Sequence, residues 1–262
     1  MTQTTSDDVL QRFCVSPRTW EIYTNWKKDA RRVEVAPVVM AHRAELVYEL
    51  STADVEAVCH RTEHALGQVR RLDGESVAAI VDWHPDFAFT HVFHVCMEQM
   101  RRLPSYQDFR SYAYNDHWGL RMLGDPAKAK VHEVSATGVP ERLARDAMRW
   151  RVGNAYYSFL REVYTVVQLR SMGLDLRVHP LADALFRVDA WVGNKVISLR
   201  VGNKKFRQGE GAGRKMPPER LLADVRPPLE FATLELSPAT KFGSVHLPSL
   251  NHLSAAAARL SG

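Results

Sequence analysis

The sequence predicts an α+β protein in which a mostly helical N-terminal region, residues 1–134, precedes an α/β region, residues 135–262. Two observations predict this class. Apolar residues recur at helical spacing in the first half of the chain, whereas the second half contains short runs with strand-like alternation. The Gly193-Asn194 pair separates two of these runs, and a two-residue Gly-Asn loop is typical of a β-hairpin.

Four segments predict the helices of the N-terminal region. Residues 18–32 place aromatic side chains among charged ones, and Ser51 with Asp54 forms a capping box that opens a helix toward residue 72. An apolar stripe follows within residues 89–100, and another helix is expected over residues 106–123. These patterns indicate a bundle of helices rather than a sheet.

The C-terminal region begins with a long helix. It is expected to start near Pro140, to bend at Gly153 and to end before Gly173, since glycine often adopts the left-handed conformation that ends a helix. Three strands are expected next, over residues 174–178, 185–192 and 195–201. The remaining elements are a short helix, two strands and a final helix, over residues 217–225, 229–236, 245–247 and 251–260.

The hairpin can be derived residue by residue. With a two-residue loop, Ala190 opposes Ile197, and the same register places Asp189 opposite Ser198. Because side chains alternate between the faces of a strand, one face is apolar. The other face carries Arg187, Asp189, Trp191, Val196, Ser198 and Arg200. Such a polar cluster is either a solvated sheet face or a functional site.

The long helix carries a carboxylate beside its apolar stripe. Glu162 has Phe159, Val166 and Leu169 as neighbours at helical spacing. A charge in such a place needs a partner or a metal ion, or it takes up a proton. The alternative is a glutamate at the edge of the stripe that reaches water.

The order of these elements resembles the PD-(D/E)xK nuclease superfamily, which has the restriction-endonuclease-like fold. The elements are a helix with a glutamate, a glycine turn, a strand, a strand carrying an aspartate, a hairpin, a strand with a polar-x-basic triplet, and then a basic loop and a helix. The resemblance covers roughly residues 147–247. It implies a central mixed sheet, one or two Mg²⁺ ions held by carboxylates, and a lysine that helps to activate water.

By position in the resemblance, Glu162 corresponds to the helix acid and Asp189 to the central metal ligand. Both are therefore expected to be catalytic residues and Mg²⁺ ligands. The triplet Ser198-Leu199-Arg200 departs from the (D/E)-x-K of the family. Serine is a poor replacement for a metal-binding carboxylate, and arginine keeps the charge but cannot release a proton. Arg200 or Lys204 is then expected to stabilise developing phosphate charge, and Ser198 to contribute little.

The charge of the chain lies mainly in the same region. The formal net charge is +5 with a pI of about 9.2, and residues 175–226 hold 11 Lys and Arg against 6 Asp and Glu. A glycine-containing loop carries five of these cations, Lys204, Lys205, Arg207, Arg214 and Lys215. This basic loop favours nucleic acid as a partner, DNA first and RNA as the alternative. The other interpretation is a solvated surface loop.

Composition excludes several other classes. No apolar run approaches the roughly 20 residues needed to span a membrane, and the polar, acidic N-terminus does not resemble a signal peptide. The three cysteines show no CxxC spacing and fit buried thiols in a cytoplasmic protein. The glycines around residue 211 lack the Gly-Lys-Ser/Thr ending of a phosphate-binding P-loop. The sequence therefore favours a cytoplasmic protein with no membrane partner.

One further pattern indicates an unrelated chemistry. The residues His60-Arg61-Thr62-Glu63-His64 match H-x-x-E-H, in which two histidines on one helix face bind zinc and the glutamate acts as a base. The flanking residues do not resemble the proteases that carry this motif. A zinc enzyme is therefore a distant third hypothesis.

Two functions are therefore the leading hypotheses. The first is a Mg²⁺-dependent DNA endonuclease of a mobile-element or defence system, with Asp189 and Glu162 as metal ligands. The second is a catalytically inactive nuclease-like domain that binds DNA as a subunit of a larger complex with protein partners. The absence of (D/E)-x-K favours the second function, and the retained acids favour the first.

Overall fold

A computed structural model describes residues 3–85, 87, 89–201, 216–236 and 238–261. The chain is about 61% helical with small mixed sheets, so the predicted α+β class is confirmed. It divides into two compact units that are not consecutive along the chain. The first unit contains Met1–Val55, Arg161–Lys241 and His246–Gly262, and the second contains Glu56–Leu160 and Phe242–Val245.

The described residues form fifteen α-helices and a π-helical segment, Leu120–Gly124. The helices are α1 Ser6–Phe13, α2 Pro17–Lys28, α3 Ala36–Ala41, α4 Leu46–Glu49, α5 Thr52–Arg61, α6 Arg71–Glu75, α7 Ala78–Val81, α8 Phe89–Met100, α9 Tyr106–Asn115, α10 His117–Gly119, α11 Asp125–Ala136, α12 Glu141–Ser171, α13 Pro180–Phe186, α14 Pro218–Leu221 and α15 Leu250–Ser261. The expected capping box of α5 is present, since Ser51 and Asp54 each bond the backbone N–H of the other.

Seven strands in the described residues form three small sheets. The strands are β1 Thr4–Thr5, β2 Arg43–Ala44, β3 Ala190–Val192, β4 Lys195–Val201, β5 Glu230–Leu236, β6 Pro238–Phe242 and β7 Val245–Pro248. The central sheet has the order β3-β4-β5, with β3 antiparallel and β5 parallel to β4. The other two sheets pair β1 with β2 and β6 with β7.

The predicted hairpin is confirmed. Val192 pairs with Lys195, and Ala190 with Ile197, on either side of the Gly193-Asn194 turn. Gly193 has a φ of 54°, which glycine adopts without the penalty that a side chain would add. Arg12 of α1 donates a hydrogen bond to the Gly193 carbonyl, so the turn is also held from outside the sheet.

Two of the three strands expected before the basic loop are shorter than the sequence predicts. Residues 174–178 form only an isolated antiparallel bridge, Arg177 with Trp191. The run 185–192 begins as helix, because His179 caps α13 through its side chain and Pro180 occupies the first turn. The helix ends at Phe186, and the next residue, Arg187, is left-handed with a φ of 60°. The strand β3 therefore starts at Ala190.

The first unit packs α1, α2 and α3 against α13. The ring of Phe13 lies 5.8 Å from that of Phe186 and 5.4 Å, edge-on, from that of Trp191. All three side chains are buried. Burial of large apolar side chains such as these supplies most of the free energy that holds a sheet edge to helices. These contacts fix the position of α13 relative to the hairpin.

The second unit is built around the N-terminal part of α12. Phe93 stacks on Phe159 with ring centroids 4.7 Å apart, and Tyr156 is fully buried beside them. The helix continues through Gly153, where an added Cβ would lie within 3.0 Å of Ala65 and Leu66. Glycine at this position is thus explained by close packing, and the expected bend is not a break in the helix.

The division into units differs from the boundary expected after residue 134. That position lies inside α11, and residues 1–55 belong to the same unit as the hairpin. The physical reason is that side-chain contacts between α1 and α13 join segments far apart in sequence, and local periodicity does not encode such contacts.

Candidate functional site

Glu162 lies at the beginning of the part of α12 that belongs to the first unit. On the same helix face Val166 and Leu169 are buried, whereas Glu162 itself is half-buried. Burial raises the pKa of Glu162 well above the ordinary glutamate value, and repulsion by the carboxylates of Asp189 and Asp183 raises it further. The carboxylate is therefore in a site that disfavours its negative charge.

Asp189 lies in the short connection between α13 and β3. Its backbone N–H donates to the Ile197 carbonyl at 3.2 Å, and its Oδ2 accepts the Leu199 N–H at 2.6 Å. Burial raises the pKa of Asp189 to about 8, and repulsion by Asp183 acts in the same direction. The bond from Leu199 opposes this rise in pKa. Both bonds fix the carboxylate against β4, so its direction is set by the hairpin register.

Asp183 is a third acid that sequence analysis did not assign to the site. It lies on α13, and its carbonyl accepts the backbone N–H of Arg187 at 3.0 Å. Its charge is the strongest charged influence on Asp189, and it also acts on Glu162. Because residues 185–192 were expected to be a strand, Asp183 fell outside the site. The His179-Pro180 pair, a helix-start signal, could have revealed it.

Two arginines flank the carboxylates. Arg200 is exposed on β4, and Arg187 is exposed at the left-handed end of α13. Both guanidinium groups lower the pKa of Asp189, although burial and Asp183 outweigh them. The backbone of Arg187 is strained, since the left-handed region costs a non-glycine residue about 1–2 kcal/mol. Residues in such conformations cluster at functional sites.

Ser198 lies on β4 opposite Thr233 of β5 and is half-buried. It immediately precedes Leu199, whose N–H binds Asp189. The structure thus brings Glu162, Asp189, Arg200 and Ser198 into one region of the first unit. Their catalytic and metal-binding roles stay predictions.

The expected polar face of the hairpin is correct only in part. Near the turn, Trp191 and Val196 lie on that face but are 5% and 1% exposed, so the hairpin is buried on both faces there. Arg187 does not pair with Arg200 across the hairpin, because it belongs to the end of α13. The polar character is therefore confined to the end of the hairpin that is distant from the turn.

The basic loop with Lys204, Lys205, Arg207, Arg214 and Lys215 lies outside the described residues. Within the described ranges, no three or more His, Cys, Asp or Glu side chains are arranged so that they could hold a metal ion.

The H-x-x-E-H pattern does not form a helical zinc site. The helix α5 ends at Arg61, so His60 and His64 do not share a helix face. The His60 ring contacts Phe242, whereas Nδ1 of His64 accepts the Leu66 N–H at 3.3 Å. The third hypothesis, a zinc enzyme, loses its structural basis.

Comparison of the chain with protein-family models, with curated proteins and with solved structures finds no match. The described helices include none with the length and apolar character that crossing a bilayer requires.

Proposed function

We propose that this protein binds nucleic acid, DNA first, and cuts it with Mg²⁺ at a site formed by Glu162 and Asp189. The observation that carries the proposal is the pair of carboxylates whose pKa values are both raised by burial and by their neighbours' negative charge. Groups with strongly shifted pKa values cluster at catalytic and binding sites. Two exposed arginines beside them suit a phosphate.

The order of the elements supports the resemblance to the nuclease superfamily. The helix with Glu162 is followed by the bridge at Arg177, the hairpin β3–β4, the short helix α14 and the strand β5, which is parallel to β4. Up to α14 this order matches the one that the resemblance implies, with two exceptions: the first strand is only a bridge, and α13 lies between that bridge and β3. The restriction-endonuclease-like fold remains part of the proposal.

The donor set fits Mg²⁺. Proteins often hold this ion through one or two carboxylates, and water and substrate phosphates fill the other positions. A dication between Glu162 and Asp189 would offset the repulsion that raises their pKa values. The Leu199 N–H would keep Asp189 in place. Bound Mg²⁺ would supply Lewis-acid activation of water and of the phosphodiester.

The protein's own groups have distinct roles in this proposal. Glu162 and Asp189 would hold the ion through their carboxylate oxygens. Arg200, which is exposed next to Asp189, would stabilise negative charge that develops on the phosphate. Ser198 presents only a neutral hydroxyl and would add little to metal affinity.

A second function is favoured by a specific observation. Ser198 and Arg200 replace the acid and lysine of the family, and the described residues contain no group of three metal-binding side chains. In that case the domain binds DNA as an inactive subunit, and protein partners supply the chemistry. Both functions require that the protein binds DNA, but only the first includes cleavage of the DNA.

The first prediction concerns cleavage. Single- and double-stranded DNA and RNA are incubated with the protein and with Mg²⁺, Mn²⁺ or EDTA. We expect cutting only with a divalent cation. Asp189→Ala and Glu162→Gln should each reduce its rate by a factor of about 100 or more, the effect of losing several kcal/mol of transition-state stabilisation, while binding persists.

The matched control is Glu219→Ala, which removes an exposed carboxylate of the same unit on α14. Its cleavage rate should equal that of the wild type. The double variant Ser198→Glu, Arg200→Lys restores the family triplet and should raise activity. A wild type that binds DNA but is inert with every cation identifies the inactive subunit, and metal-independent cutting that survives Asp189→Ala would exclude this site.

A further inference from the structure

The outer face of α2 carries an exposed aromatic pair. Trp20 is 47% exposed, and its ring meets that of Tyr23 edge-on with centroids 5.6 Å apart. Nζ of Lys27 lies 5.9 Å from the Tyr23 ring centroid on the same helix. We refer to Trp20, Tyr23 and Lys27 together as the aromatic platform. An exposed tryptophan braced by a second ring is an unusual surface feature, because Trp is largely buried in most proteins.

The helix beneath the aromatic platform is firmly anchored. Ser16 and Thr19 form a capping box at its start, and Pro17 occupies the first turn. On the inner face Thr19 is fully buried and Trp26 is 7% exposed. A rigid support matters for binding, because a preorganised side chain loses less conformational entropy when it engages a ligand.

The charges of α2 favour an anionic ligand. The helix carries Arg18, Lys27 and Lys28 against a single acid, Glu21. Arg18 lies 3.8 Å from Asp224, whereas neither lysine forms an ion pair with an acid among the described residues. Two cations on the helix that carries an exposed indole suit a nucleic-acid strand, since such a strand presents phosphates and aromatic bases together.

The position of α2 connects it with the candidate site. The helix packs against α13, which carries Asp183. Nη2 of Arg18 lies 3.5 Å from Sδ of Met216, the first described residue after the segment that contains the basic loop. The aromatic platform and the carboxylates therefore belong to the same unit.

We propose that the aromatic platform stacks an unpaired base of single-stranded nucleic acid. In a duplex the base faces are already stacked on one another, so an exposed indole gains nothing from them. A single strand offers a base face to Trp20 and a phosphate to Lys27 or Lys28. The inference rests on the proposed nucleic-acid binding and adds a preference for unpaired strands that the proposed function does not require.

The test compares two oligonucleotides in EDTA, so that cleavage cannot interfere. One is oligothymidine, and the other is an abasic strand with the same number of phosphates. Base–aromatic stacking implies that Trp20→Ala weakens oligothymidine binding by roughly fivefold to hundredfold. The same variant should change abasic binding by less than about twofold, because the phosphate contacts remain, and Trp20→Phe should recover most of the loss.

A matched control exists in the second unit. Tyr114 is 55% exposed with Nζ of Lys128 5.5 Å from its ring centroid, but Lys128 also lies 3.3 Å from Asp125. Tyr114→Ala should leave both affinities unchanged. In contrast, Lys27→Ala with Lys28→Ala should weaken binding to both strands equally.

The possible outcomes distinguish a failure of base stacking from a failure of nucleic-acid binding. Wild-type protein that binds oligothymidine and the abasic strand with the same affinity overturns the stacking inference, whether or not the variants fold. Unchanged oligothymidine binding by folded Trp20→Ala overturns it as well, while nucleic-acid binding itself stands. If the wild type binds no nucleic acid at all, the proposed function fails and the inference with it.

Discussion

At the scale of single residues, the carboxylates make stability depend on pH in an unusual direction. In an unfolded chain the pKa values of Asp and Glu are about 4. In the folded protein the pKa values of Asp189 and Glu162 are raised above this range. Between that range and pH about 8, the folded state binds more protons than the unfolded state. The linkage relation then requires that the free energy of unfolding falls as pH rises through this window.

Asp189→Asn tests this argument directly. The amide oxygen can still accept the Leu199 N–H, whereas the ionisable group is gone. At pH 8 we expect the variant to have a higher Tm than the wild type and a free energy of unfolding larger by at least about 1 kcal/mol, since one pKa unit corresponds to about 1.4 kcal/mol. The difference should shrink toward pH 4. Thermal unfolding from pH 4 to 9 measures it.

A control with the opposite sign is Asp108→Asn. The guanidinium of Arg102 holds the pKa of Asp108 well below its usual range through two hydrogen bonds. This carboxylate stabilises the fold above about pH 4, so its loss should lower the Tm at neutral pH.

In the wild type, Mg²⁺ added at pH 8 should raise the Tm, and Asp189→Asn should abolish this increase. An Asp189→Asn protein less stable than wild type at pH 8 contradicts the electrostatic argument.

At the scale of elements, α13 depends on a neutral histidine. Nδ1 of His179 accepts the Leu181 N–H at 3.1 Å as the helix cap, and Nε2 is 3.1 Å from the His42 carbonyl, which can only accept. Burial lowers the pKa of His179 to about 4. Protonation would add a hydrogen to Nδ1 and break the cap. The cap therefore operates only with the unprotonated ring.

The pH dependence that follows has a definite sign. Between pH about 4 and pH about 6.5, the ordinary histidine pKa, His179 is protonated in the unfolded chain but not in the folded protein. Stability from this residue is thus present above pH 6.5 and is lost as pH falls through that window. His179→Ala should cost about 1–2 kcal/mol at pH 7, a typical cost for the loss of a helix cap, and less at pH 5.

Urea unfolding of both proteins at pH 7 and pH 5 checks this prediction. The difference between wild type and variant is the relevant quantity, because the acids of the site impose an opposite slope on both proteins. His246→Ala, at an exposed position of the same unit, serves as the control and should leave the free energy of unfolding close to that of the wild type at both pH values. A stability difference that grows at pH 5 would refute the neutral-cap argument.

The elements also mark where sequence reasoning succeeds and where it fails. The hairpin was predictable because both signals, the Gly193-Asn194 turn and the alternation that follows, are local. The helix α12 was predictable from a long apolar period. In contrast, α13 was missed because its last residues, Leu185 and Phe186, also fit a strand that continues to Val192. Short apolar runs do not distinguish the two structures.

The candidate site, like the fold, was predictable only in part. Glu162 and Asp189 came from element order, and the structure brings their charges close enough to interact. Asp183 could not be placed without α13. The packing of α1 and α2 on α13 involves residues that are more than 150 positions apart, and no local pattern predicts such contacts.

At the scale of the whole molecule, uneven charge makes a prediction about salt. The formal net charge of +5 resides in residues 175–226, so phosphate neutralisation should depend on that region. Affinity for duplex DNA should fall steeply as salt rises, because bound cations release counterions from phosphates. Replacing Lys204, Lys205 and Arg207 by Ala should weaken binding to all sequences alike. It should also reduce the logarithmic salt slope by up to about 3, near 0.9 per lost contact.

The control for this prediction changes the net charge equally. Replacing Lys128, Arg142 and Arg145 by Ala also takes the formal charge from +5 to +2, but these cations are paired with Asp125, Asp146 and Glu141. If charge acts through local phosphate contacts, this second triple variant should retain the wild-type salt slope. Equal losses in both variants would mean that only net charge matters. An unchanged slope in the first triple variant would place the DNA contacts outside the basic loop.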